Sequence, residues 1–137
     1  MKPKWLGAAL AKVGPELEEI AQSASVHRPG IRTSIEYWSS ENVSLSMHVS
    51  FLASPGEDEL LVISVVVSRQ EDKLFMTSDI TRGDGTMIAE GPERRAVSGG
   101  PSLEPALSSW LEAVISFLRG SHSMMVSVLT EGATSHD

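Results

Sequence analysis

The chain reads as one α+β domain of two layers: an antiparallel five-stranded meander flanked in sequence by an N-terminal helix, kinked or double, and a C-terminal helix. Three observations predict this. Val43 to Phe51 alternates apolar and polar residues at every step, a pattern that a pleated strand sorts onto two faces and a helix cannot. Apolar residues spaced by three and four stand at both ends of the chain, and the stretch from Ile31 to Glu90 between them breaks into strand-like runs joined by turn signals.

In the first helical region Leu6, Leu10, Val13, Leu17, Ile20 and Ala24 form a single stripe, interrupted by Gly14-Pro15. Proline lacks a donor and crowds the preceding turn, so the helix either kinks there or restarts with Pro15 at its first position and Glu16, Glu18 and Glu19 near its positive end. The stripe keeps phase across the break, which places both pieces on the same sheet. Val26 to Gly30 is a connector.

The first strand, Ile31 to Ser39, puts Ile31, Thr33, Ile35 and Tyr37 on one side, and Arg32, Ser34, Glu36 and Trp38 on the other. Matching its apolar side to that of Val43–Phe51 pairs Tyr37 with Leu45 and Ile35 with Met47, leaving Ser40-Glu41-Asn42 as a hairpin loop. In that register His48 lies opposite Ser34 and diagonal to Glu36. After the Ser54–Asp58 turn, Leu60 to Ser68 is apolar at nearly every position, the pattern of a strand covered on both faces. Leu74–Thr81 and Thr86–Glu90 follow, joined through Asp84-Gly85; Gly91-Pro92 then opens a loop to Pro101. Ser102 suits an N-cap and Gly120 a C-cap for a helix from Leu103 to Arg119, whose stripes (Leu103, Leu107, Leu111, Val114, Leu118 and Ala106, Trp110, Ala113, Phe117) make a wide apolar arc. Met124–Leu129 fits a strand or a helical turn, and the tail from about residue 130 is expected to be disordered.

Composition removes several function classes. The 137 residues include no cysteine, so disulfides, thiolate metal sites and cysteine nucleophiles are excluded and a reducing, cytoplasmic setting is expected. A net charge of −7 argues against nucleic acid, whose binding needs cations on phosphates. The opening Met1–Leu10 segment is broken by Lys12 and reads as helix rather than export signal, and no apolar run reaches the length of a membrane span.

No motif specifies catalysis, a cofactor or a metal. His48 among Ser34, Ser46, Ser50 and Glu36 has the residue types of a nucleophile–base set, but these lie mid-strand, away from the strained turns and oxyanion holes that hydrolases use. His27, His48, His122 and His136 lack ligand spacing, and Glu57-Asp58-Glu59 and the pair Asp79 and Asp84 lack the alternating oxygens of a calcium loop.

The face away from the helices should carry Trp38, Val62, Val66 and Phe75 among small hydroxyl residues and His48. An apolar patch rimmed by polar groups marks a docking surface. The expected function is therefore stoichiometric protein binding with no enzymatic turnover, of the toxin-neutralising immunity or secretion-chaperone kind in a bacterial cell. The partner would be a basic protein steered by Glu57, Asp58 and Glu59, or a second copy of the chain. The alternative is a small-molecule-binding or enzymatic domain with an apolar pocket between a curled sheet and the last helix.

Overall fold

The computed structural model describes residues 4–38, 43–53, 58–97 and 99–131. Helix α1 (Lys4–Ser25) leads into strands β1 (Arg32–Trp38), β2 (Val43–Leu52), β3 (Glu59–Gln70), β4 (Lys73–Arg82), β5 (Met87–Glu90) and β6 (Arg94–Val97), and helices α2 (Leu103–Gly120) and α3 (His122–Thr130) close the chain. The sheet is antiparallel in the order β1-β2-β3-β4-β5, with β6 also paired to β4. The expected α+β meander between terminal helices is what the chain forms.

One face of the sheet is sealed. Leu45, Met47, Val49, Phe51, Leu61, Ile63, Val65, Val67, Leu74, Met76 and Ile80 are buried beneath Val13, Leu17, Ala21, Leu107, Trp110, Val114 and Leu129 from the helices. α1 lies over β1 and β2, α3 over β3 and α2 over β6, so all three helices roof the same side. A polar seam ties them to one another. The Lys12 ammonium reaches Ser108 Oγ at 3.3 Å and Glu112 Oε1 at 3.2 Å, Arg119 pairs with Glu16, and Arg28 donates to the Leu129 carbonyl at 3.0 Å.

Several expectations are corrected. Pro15 lies inside one continuous α1, so there is neither a restart nor a second helix. The β1–β2 register is offset by two residues, with Tyr37 opposite Met47 and Ile35 opposite Val49. A two-residue offset keeps every side chain on its face, so the apolar match alone could not detect it. His48 therefore faces Glu36 directly, and Ser34 faces Ser50. β3 is not covered on both sides: Leu61, Ile63, Val65 and Val67 are buried, whereas Leu60, Val62, Ser64 and Val66 are partly exposed.

The stretch after Pro92 is not wholly loop, because Arg94–Val97 pairs with Lys73–Met76 as β6. Ser102 makes no side-chain cap; the Leu103 N–H instead donates to the Gly100 carbonyl at 3.1 Å. Gly120 is the last residue of α2 rather than its left-handed terminator, and Met124–Leu129 is helical within α3. The chain stays helical to Thr130, whose Oγ1 donates to the Val126 carbonyl at 2.9 Å, and Arg82 holds Glu131 at 2.8 Å. The rest of the expected disordered tail, 132–137, lies outside the described residues, as do Asn42 and Glu57.

Two close approaches shape the β4 edge. A Cβ at Gly83 would lie 1.7 Å from the Glu59 carbonyl oxygen, so only glycine lets the β4–β5 turn touch the start of β3. At Gly91 a Cβ would lie 2.3 Å from Ser78 Oγ and 2.6 Å from Phe117 Cε2. There the Pro92 carbonyl accepts from Trp110 Nε1 at 2.8 Å and from Ser78 Oγ at 3.2 Å. That corner lets the chain leave β5 and return to β4 as β6, satisfying two buried donors on the way.

Candidate functional surface on the open sheet face

Strand registry arranges the uncovered face into rows. The central row is Glu36, His48, Ser64, Asp79 and Glu90, each directly opposite the next on neighbouring strands. On one side runs Ser34, Ser50, Val62 and Thr81; on the other runs Trp38, Ser46, Val66 and Thr77. Neighbouring members of a row stand on adjacent strands about 4.8 Å apart, across the hydrogen-bonding direction. Beyond them, Ser68 pairs with Phe75 and Phe75 with Arg95, whose guanidinium carbon lies 4.9 Å from the ring centroid.

The local cause is β3, where Val62, Ser64 and Val66 occupy alternate positions and place hydroxyl between methyls. Serines on β2 flank His48 in the same way, so the centre of the surface is lined by small side chains. Ser46 is buried although it sits on this face.

The central row has an electrostatic signature. Desolvation on the sheet pushes the Asp79 carboxyl above its ordinary value; the His48 imidazole opposes that shift and the neighbouring Glu90 carboxylate adds to it. Three carboxylates and one imidazole in a single row make a surface that attracts cations. Glu59 extends the acidic character, because its Oε2 accepts from Ser50 Oγ at 3.0 Å.

Of the residues expected to bind a partner, His48, Val62, Val66 and Phe75 share this face, and the backbone of Trp38 pairs with that of Ser46 at its end. Asp58 stands exposed at its margin, beside Glu59 at the head of β3. The other acidic turn, Glu71-Asp72, is at the far end of β3, a strand of 12 residues. At about 3.3 Å per residue, the two turns are too far apart to act as one steering patch. The sequence pairs Asp79 only with Asp84, and nothing in it singles out Glu90. Glu90 is the one polar position of β5 and Asp79 the one acidic position of β4, and only registry shows that both align with His48.

The row contains carboxylate, imidazole and hydroxyl in the order of a hydrolytic triad, yet β3 runs between two paired neighbours from Leu61 to Ser68. Its N–H groups are engaged in the ladders and cannot hold an oxyanion. Among the described residues, no three His, Asp or Glu side chains cluster as metal ligands. His27 and His122 do meet, with ring centroids 6.1 Å apart and Ser23 Oγ 3.0 Å from His122 Nε2, but that supplies two ligating rings only. Asp79 and Asp84 are not brought together, since Asp84 Oδ1 accepts from the Thr86 N–H at the β4–β5 turn.

Two cavities lie on the helix side. A groove of about 330 Å3 runs between α1 and α2, lined by Ala8, Ala9, Lys12, Leu107 and Leu111, and another of about 410 Å3 separates α1 from Tyr37. Among the described residues no helix is long and apolar enough to cross a membrane. No protein-family model, curated protein or solved structure matches this chain.

Proposed function

We propose that this chain acts by covering a basic surface of another protein with the open face of its sheet, one to one and without turnover. The observation that carries the reading is the contrast along β3. Val62 and Val66 stay partly exposed in the middle of the sheet with no helix on them, on either side of a row bearing three carboxylates. A surface of this kind gains hydrophobic association from its valines and Phe75, and orientation from the row. Its flatness suits a folded partner better than a small molecule, which needs a concave site.

Neutralisation of a basic toxin is the form of stoichiometric binding that fits this acidity and architecture best. The secretion-chaperone version ranks behind it, since that class places a helix within the sheet and the described residues from β1 to β6 hold none. The test is affinity recovery from the producing cell with the wild-type chain, Val66→Asp and Ser64→Arg. The wild type should retain one basic protein at equimolar ratio, and both variants should release it while keeping the wild-type circular dichroism spectrum. Recovery of the same protein by Ser64→Arg at undiminished yield, or recovery of none by the wild type, would overturn the reading.

A further inference from the structure

The two edges of the sheet are protected very differently. On the β4 side the outer edge is divided into two strands of 4 residues each, β5 and β6, separated by Gly91-Pro92 and carrying Glu90, Arg94 and Arg95. Short strands, proline and charge are the devices that stop an edge from pairing with another chain. β1 has neither proline nor bulge: its 7 residues pair with β2 in unbroken register, and its other side faces no strand in the sheet order. Arg32, Thr33, Glu36 and Tyr37 are exposed along it.

The only charges on β1 are Arg32 and Glu36, opposite in sign and both on the open face. A second copy brought antiparallel to β1 about a two-fold axis through Ser34 sets Arg32 against the partner's Glu36, and Glu36 against the partner's Arg32. The same axis sets Thr33 against Ile35 and Tyr37 against Ile31 on the helix side. Moving the axis to Thr33 or Ile35 leaves both charges without an opposite. A strand that carries its own complement in this order selects itself over an unrelated edge. We infer that the chain forms a symmetric dimer through β1, in the register centred on Ser34, joining two sheets into one.

Arg32 has an interaction within its own chain; a guanidinium has five donors and can serve a second carboxylate as well. The inferred contact engages Glu36 at the outer end of the row but leaves Val62, Ser64, Val66 and Asp79 uncovered, so its test is separate from that of the function proposed above.

Sedimentation of the purified full chain at tens of micromolar tests it by charge exchange. The wild type should sediment as a dimer. Arg32→Glu and Glu36→Arg should each weaken self-association roughly tenfold or more, since each converts two attractive cross-strand pairs into two repulsive ones. An equimolar mixture of the two variants should dimerise again, as should the double variant R32E/E36R. Because the chain has no cysteine, Ser34→Cys supplies a second readout: under mild oxidation it should cross-link to a covalent dimer faster than Ser64→Cys, which sits in the middle of the sheet. A monomeric wild type, single variants that associate as the wild type does, a mixture that stays monomeric, or equal cross-linking at the two positions would each overturn the dimer.

Discussion

Val62 and Ile63 are neighbours in β3, one on each face of the sheet, and they answer to different constraints. Ile63 is fully buried and packs into a continuous core, where its volume must match that of the residues around it. Val62 is partly exposed between Ser50 and Thr81 and lies outside the buried core. The pleat assigns them to opposite sides, and the helices make one side sealed and the other available. The difference separates the part of the chain that holds the fold together from the part that is free to recognise something.

Substitutions on the two sides should therefore diverge. Phe51→Ala, on the sealed face, should cost about 3–5 kcal/mol by removing a large side chain from a site that cannot collapse around the loss. Phe75→Ala, on the open face, should cost about 1–2 kcal/mol, combining partial burial with the Arg95 contact over its ring. Urea denaturation of both variants checks the pair, and equal losses would break the contrast. A finer version compares two serines. Ser78→Ala should cost about 1 kcal/mol because it removes one of the two donors to the Pro92 carbonyl. Ser64→Val should change the denaturation midpoint little or raise it, since a valine suits an open strand position.

The smallest effect expected is electrostatic. Asp79 has its folded-state carboxyl raised above the ordinary value of 3.8, so the protonated form is the one that folding favours. Its contribution to stability is full below that ordinary value and is lost as pH rises through the raised one. Asp79→Asn should accordingly raise the thermal midpoint slightly at pH 7, and this gain should fade as pH falls through the raised value and be gone below 3.8. A gain that persisted unchanged in acid would show that the carboxylate is not the cause.

How much was legible in the sequence follows from the same two-sidedness. Strict alternation in β2 revealed its faces at once, because each polar residue there points away from the core. In β3 the same alternation was hidden: Leu60, Val62 and Val66 are apolar on the open side too, and hydropathy cannot separate a second core face from a docking face. β6 was missed because Arg94-Arg95-Ala96-Val97 has no alternating pattern of its own and gains its strand conformation from β4. The alignment of Glu36 with His48 depended on a register that hydrophobic matching fixes only to the nearest two residues. The Asp79–Glu90 end of the row rests on a bulge between Ile80 and Thr81 that no local signal announces.

The corner at Gly91-Pro92 has a practical consequence for anyone rebuilding this chain. Its carbonyl is shared by an indole and a hydroxyl, and even one added methyl group there would collide with Phe117. Insertions and tags are unsuited to this corner and equally to the β4–β5 turn, where a Cβ on Gly83 would strike the Glu59 carbonyl. With Trp5 and Trp38 replaced by phenylalanine, the Trp110 indole becomes a fluorescent reporter of that corner, whose emission should shift when its hydrogen bond to the Pro92 carbonyl opens.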